Sequence, residues 1–373
     1  MMRMLRVAAV HPRRSLFVGQ QWRHASSALR VLFFGTDNIS LATLKRLHAN
    51  MSSKSSEPPL IKDIEIVCPP DKRMARARQR APVPVKQFAL EHNLTVHHIP
   101  DDVKSLKDWP MPTQASFDVG VVVSFGYFIH PHMLEHVKHG AINMHPSLLP
   151  KYRGPAPIPR ALFNGDTKTG ISVIEIDPTA FDVGRILLQK EVPIAQDATY
   201  HSLSADLAGR GAACVIDTLK DLEAKKKLAV AQDNAKASKA PKMKREHGIV
   251  QWTESTAQLY NMWRAVGETF GVMASFAGKS VKLIQMHVPT NDQVAAFEAH
   301  LVDISPATLQ AGACLYDKAT KALWVRATDG WLVVTQLQVA DRKIGQADEF
   351  ANGHRLKPRH LYAFDQQHNK IVH

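Results

Sequence analysis

The 373 residues predict an α/β protein: a doubly wound, mostly parallel sheet in the first part of the chain and a small β-barrel in the last. Three observations carry this. Apolar runs of strand length alternate with helical patterns from residue 30 onward. A stretch at 224–247 is rich in lysine and poor in large apolar groups, as an interdomain linker is. Beyond it the pattern restarts with one helix and several short strands.

Residues 30–36 (RVLFFGT) form a continuous apolar run ending in a glycine turn, the signature of a strand buried on both faces. Leu41, Leu44 and Leu47 follow at helical spacing. Residues 61–67 supply a second strand, 85–90 open a helix, 95–100 are a short third strand and 117–123 a strongly apolar fourth. A helix around 133–138 leads to a strand from Ala141, on which Asn143 and His145 share one side because strand side chains alternate. Pro146, Pro150, Gly154, Pro155 and Pro157 then make the chain too proline-dense for a helix interior or a central strand. Residues 170–176 form the next strand and 181–184 (FDVG) a tight loop. A strand at 186–194 and a helix at 202–222 complete this part. In the last part, Leu259, Met262, Trp263 and Val266 mark a helix over 253–266 capped by Thr253. Strands follow at 281–288, 313–316, 322–327 and 331–339, the last two joined by a Thr-Asp-Gly hairpin turn.

Composition bounds the function. Hydrophobic residues make up 45% and charged residues 22%, ordinary for a soluble globular chain. No run approaches the about 18 apolar residues of a membrane span, so none is expected. The formal charge of +13 points to a polyanionic partner such as nucleic acid. Arg3, Arg6, Arg13, Arg14 and Arg23 lie in a stretch (1–28) with no acid, which has the character of a mitochondrial presequence processed near 23–28. Lys72, Arg73, Arg76, Arg78 and Arg80 crowd one connection, suited to phosphate contact. Cys68, Cys214 and Cys314 are far apart and show neither metal-ligand spacing nor a disulfide framework, which fits a reducing interior.

Doubly wound sheets bind ligands beyond the carboxyl ends of their strands. Gly35-Thr36, Ser124 to Gly126, Asn143 with His145, and Asp182 are all expected at such ends. An amide, an imidazole and a carboxylate converging there suit acyl transfer: donors for an oxyanion and a base or orienter. No G-x-G-x-x-G follows the first strand, so a nicotinamide cofactor is not expected. Nineteen histidines include no H-E-x-x-H, and no metal is expected.

The string NMHPSLLPKYRGPAPI at 143–158, with the later T-G-I strand and D-x-G loop, resembles the formyltransferase family that uses 10-formyltetrahydrofolate. Its YRGPAPI portion is similar to the methionyl-tRNA branch, and FDVG to the animal mitochondrial members. The resemblance implies a presequence at 1–28, a Rossmann-like catalytic domain at 29–223, a basic linker at 224–247 and an OB-like tRNA-binding domain at 248–373. It also implies formyl transfer to the α-amine of initiator methionyl-tRNA by a monomer of the mitochondrial matrix, with 10-formyltetrahydrofolate as co-substrate and no metal. Asn143, His145 and Asp182 take the catalytic roles. Gly126, Tyr127, Ile129, Ser147, Leu148, Leu149 and Pro150 take the folate, while Lys72, Arg73, Arg76, Arg78, Arg80, Lys236, Lys239 and Lys242 take the tRNA.

Two departures stand out. Gly35-Thr36 continues into Asp37 where the family has proline, and the loop between Asp177 and Asp182 is one residue longer than usual and lacks its glycine. Asp182 is preferred to Asp177 because it precedes Val-Gly. Alternatives are a glycinamide ribonucleotide or sugar-nucleotide formyltransferase, or a non-catalytic RNA-binding protein on the same fold.

Overall fold

A computed structural model describes residues 28–53, 58–73, 80–111, 113, 115–301 and 304–366. All but the last residue of the expected presequence, and Arg76 and Arg78, lie outside them.

The first sheet is built from β1 (Leu29–Gly35), α1 (Asn38–Met51), β2 (Ile61–Cys68), a hairpin of β3 (Lys72–Arg73) and β4 (Arg80–Ala81), α2 (Pro84–Glu91), β5 (Thr95–His98), β6 (Val119–Val123) and β7 (Ala141–His145). Then come α3 (Pro157–Phe163), β8 (Lys168–Glu175), β9 (Ile186–Pro193), α4 (Tyr200–Lys220) and α5 (Leu222–Lys227). The β3–β4 hairpin stands apart; the other strands order as β5-β2-β1-β6-β7-β8-β9. Five run parallel, and the strand order reverses between β1 and β6, the position where such sheets open a ligand crevice. The apolar run of β1 is explained by its two faces. Val31 and Phe33 join the core beneath α1 and α4, while Leu32 and Phe34 join a second core with Val67, Ile99 and Phe125.

Three local expectations change. No α-helix forms at 133–138; one 3₁₀ turn, Pro131–Leu134, is followed by strand-like pairing. Phe117 N–H donates to the His136 carbonyl and Lys138 N–H to the Phe117 carbonyl, so these backbone groups are already committed. The proline-dense stretch ends in a helix, α3, because Pro157 occupies its first turn, where a missing N–H costs nothing. The expected linker is not free: α5 enters it, and residues 238–240 pair with the backbone of Arg153 and Ala156.

The second sheet is antiparallel. Its elements are α6 (Thr256–Val266), β10 (Val272–Phe276), β11 (Lys279–His287), α7 (Asn291–Glu298), β12 (Ala313–Asp317), β13 (Ala322–Arg326), β14 (Trp331–Val339), β15 (Gly345–Gln346), α8 (Ala347–Gly353) and β16 (Tyr362–Ala363). Ser255, not Thr253, caps α6: its hydroxyl accepts from Gln258 N–H, and the Gln258 side chain returns to Ser255 N–H. The strands order as β10-β11-β14-β13-β12-β16, and the curl brings the two edges together. Asp365 N–H donates to the Ser275 carbonyl at 2.8 Å, while its carboxylate accepts from Ser275 Oγ and Gly278 N–H. The sheet is therefore barrel-like, and α3 packed on α6 joins its core to that of the first sheet.

Candidate active site

β7 carries Asn143 and His145 to the crevice side of the sheet, as period two requires. Asp182 arrives differently from the expected strand end. β8 runs antiparallel to β7, so its carboxyl end lies beside the start of β7, with Glu175 opposite Ile142. The chain then folds back, Glu175 N–H bonding to the Arg185 carbonyl. Gly184 permits this close return: a Cβ there would stand 1.8 Å from the Glu175 carbonyl oxygen. Asp182 sits within the fold-back at φ 58°, a conformation that Asp tolerates better than most residues.

The three side chains meet. Asp182 Oδ1 accepts from Asn143 Nδ2 at 3.3 Å, and Oδ2 accepts from Gly154 N–H at 2.8 Å. His145 Nδ1 lies 3.6 Å from Asp182 Oδ1. His145 Nε2 lies 2.9 Å from the Tyr152 carbonyl, which can only accept, so Nε2 carries a hydrogen. Nδ1 is thereby the nitrogen left to face the carboxylate, either bare or, in the charged ring, as a second donor. His145 is 5% exposed, so this geometry is held inside the fold. Asp177 instead lies half-buried on the rim, where hydrogen bonds from the Thr179 side chain and backbone hold its carboxyl below the usual range.

A cavity of about 920 Å³ opens over this cluster. Gly126, Tyr127 and Ile129 line it, as do Asn143, His145 and Asp182. Ser147, Leu148, Leu149 and Pro150 are not part of its lining and sit in the turn behind it. Ser147 is fully buried, with Oγ donating to the Lys151 carbonyl. Ser172 Oγ donates to the Ser147 carbonyl and accepts from Leu149 N–H, and Gln189 reaches the Leu149 carbonyl. These bonds bracket the turn after β7 against β8 and β9, behind the site.

Sequence reading missed several lining residues. Asp37 caps α1 by accepting from Ile39 N–H and Ser40 N–H, and its second oxygen takes the Ser124 hydroxyl at 2.6 Å. With Thr36 Oγ1 donating to the Phe125 carbonyl, this pins the ends of β1 and β6 to each other. An Asp before a helical pattern was the available signal. Tyr200, Met243, Val266 and Phe270 also line the cavity, and no local pattern announces them. Burial pushes the Tyr200 phenol up, with the Asp37 charge adding to it.

The basic residues separate. Lys72 and Arg73 open the β3–β4 hairpin, and Arg80 on its return strand is ion-paired with Asp101. Lys236 lies 3.3 Å from Asp233, Lys239 is exposed, and Lys242 lines the cavity. Among the described residues no group of three His, Cys, Asp or Glu is placed to hold a metal ion, and no helix is long and apolar enough to cross a membrane.

Comparison with known proteins agrees with this architecture. The Formyl transferase family profile matches residues 29–219, and that of the Formyl transferase C-terminal domain matches 242–355. The mitochondrial methionyl-tRNA formyltransferase of Homo sapiens is 33% identical over 326 residues, 87% of this chain and 77% of that protein. The methionyl-tRNA formyltransferase of Caldicellulosiruptor saccharolyticus is 33% identical over 328 residues, 88% of this chain and 97% of that one. A sugar 3N-formyl transferase solved in the presence of dTDP and 5-N-formyl-THF superposes with a TM-score of 0.55 at 16% identity, covering 85% of this chain and 100% of that chain, which supports the fold. Two matched halves in the same order, and a third of residues shared along nearly the whole length of a bacterial relative, lead to one conclusion: the chain belongs to the methionyl-tRNA formyltransferase family.

Proposed function

We propose that this protein transfers the formyl group of 10-formyltetrahydrofolate to the α-amine of initiator methionyl-tRNA, in the mitochondrial matrix. The observation that carries the reading is the Asn143–Asp182–His145 cluster at the floor of a cavity lined by both halves of the chain. Its walls include Phe125, Ile129 and Val266, an apolar lining suited to a planar donor.

The amine attacks as the neutral base, the new N–C bond forms, and the carbonyl oxygen gains charge. Asn143 has two amide hydrogens, of which Asp182 takes one, leaving the other for that oxygen. His145, its Nε2–H held by Tyr152, turns Nδ1 toward Asp182 and, when that nitrogen carries a proton, offers a second donor beside Asn143. Asp182 takes the proton that the amine loses and returns it to the departing N10 as the C–N10 bond breaks. Lys236, Lys239 and Lys242 would hold tRNA phosphates beside the cavity. The mitochondrial names of mammalian relatives and the acid-free Arg-rich start support the location.

The test is transfer from 10-formyltetrahydrofolate to methionyl-tRNA by wild type and His145→Ala. Wild type should transfer and the variant should lose about 10²–10⁴-fold in kcat. A wild type that binds tRNA without transferring formyl would leave the non-catalytic reading in its place.

A further inference from the structure

Between the two sheets, residues 232–240 lie along the loop at 150–156, and the contacts are concentrated on the groups that aim the site. Tyr152 supplies the carbonyl that fixes His145 Nε2, and Gly154 supplies the N–H that fixes Asp182 Oδ2. Both sit at positive φ, 64° and 120°, so the loop is held in a conformation that its own backbone does not favour at Tyr152. The 232–240 segment holds its backbone, while Asp166 and Asn164 hold the Tyr152 hydroxyl. Ser238 Oγ accepts from Tyr152 N–H at 2.9 Å. Arg153 N–H donates to the Ser238 carbonyl at 2.8 Å, and Ala240 N–H to the Arg153 carbonyl at 2.7 Å. Gly154 is needed for this contact, since a Cβ there would press within 3.0 Å of the Ala240 carbonyl oxygen.

Gln232 joins the two sides. Its Nε2 donates to the Asp182 carbonyl at 2.9 Å and to the Gly184 carbonyl at 2.8 Å. Its Oε1 accepts from Arg153 Nε at 2.9 Å and Nη2 at 2.7 Å. Both amide hydrogens and both lone pairs are therefore used, in a half-buried position where each is costly to lose. The Arg153 guanidinium also donates to Asn234 Oδ1, so one network links the fold-back of Asp182 to the loop that orients His145. Lys236 and Lys239 follow within the same few residues and face solvent.

We propose that Gln232 is a positioning residue: it straps the Asp182 fold-back to the 150–156 loop, so that the segment expected to meet RNA phosphates also sets the aim of Asp182 and His145. This rests on the formyl-transfer reading above for its effect on turnover, but the strap itself is a property of the free protein. Losing it misdirects a carboxylate whose work depends on sub-ångström placement, and errors of about 1 Å cost about 10²-fold.

The full chain would be compared with Gln232→Leu, which removes every bond, and Gln232→Glu, which keeps the bonds to Arg153 and loses both donations. Three quantities are read: kcat and KM for methionyl-tRNA, the thermal midpoint, and hydrogen exchange of 150–156 and 180–185 without ligands. Both variants should lose about 10²-fold in kcat, with KM near wild type, a modestly lowered thermal midpoint and faster exchange confined to those two loops. Lys239→Ala, on the same segment, should instead raise KM and leave exchange unchanged. Wild-type kcat and exchange in both variants would overturn the proposal. So would equal losses of kcat and thermal midpoint with exchange rising everywhere, because that describes general destabilisation. If wild type itself transfers no formyl group, the functional reading falls, and loop exchange alone decides whether the strap exists.

Discussion

Asp182 and Lys239 belong to neighbouring strips of chain, yet the protein treats their charges in opposite ways. The Asp182 side chain is 10% exposed, and its oxygens face Asn143, Gly154 and His145. Lys239 is exposed and contributes mainly backbone to the fold around it. A buried charge acts through direction, because few groups surround it and the local dielectric is low. An exposed one acts by adding to a field that salt screens within about 8–10 Å. Removing the first should therefore damage chemistry, and removing the second should weaken encounter.

The largest test of that contrast is Asp182→Asn, which keeps shape and removes charge. Turnover should fall by about 10²–10⁴-fold while Asp177→Asn changes it little, measured as kcat on methionyl-tRNA. A greater loss at Asp177 would move the proton relay to the rim. A smaller effect is expected on the exposed side. Replacing Lys236, Lys239 and Lys242 together by Ala should raise KM and lower the slope of log affinity against log salt by about 3, with kcat near wild type. A kcat loss instead would mean that these lysines reach the reacting atoms.

The smallest effect uses a carboxylate with no chemistry to do. Asp365 joins β16 to β10, and the Ser275 hydroxyl, followed by backbone N–H groups at Gly278 and Ala277, holds its carboxyl below the usual range. A depressed folded-state value stabilises the fold above the unfolded carboxylate value of about 3.9 and loses that contribution as pH falls through the folded one. Asp365→Ala should thus lower the thermal midpoint near pH 7, the gap to wild type should close under acid, and kcat should stay unchanged. A gap that grows with acid would reverse the sign.

Much of the fold was legible, for identifiable reasons. The continuous apolar run at 30–36 became a strand buried on both faces, and the strand-like run at 331–339 became β14 with the same bounds. α3 was hidden because its prolines argue against a helix unless they fall in its first turn. α8 buries Phe350 and otherwise two alanines, too weak an apolar stripe to read. In the site, the shared side of Asn143 and His145 follows from strand geometry alone. The route of Asp182 does not, because nothing local says that β8 runs against β7. Gln232 lies 50 residues from the carbonyl that it holds, and its four bonds exist only once both strips of chain are in place.

Val266 and Phe270, at the start of the second half, close one wall of the cavity whose floor belongs to the first half. The second half is therefore no detachable handle for gripping RNA. A chimera joining the front of this chain to the barrel of a distant relative would reshape that chamber. Any attempt to shorten the protein to its first half would leave that chamber open to water.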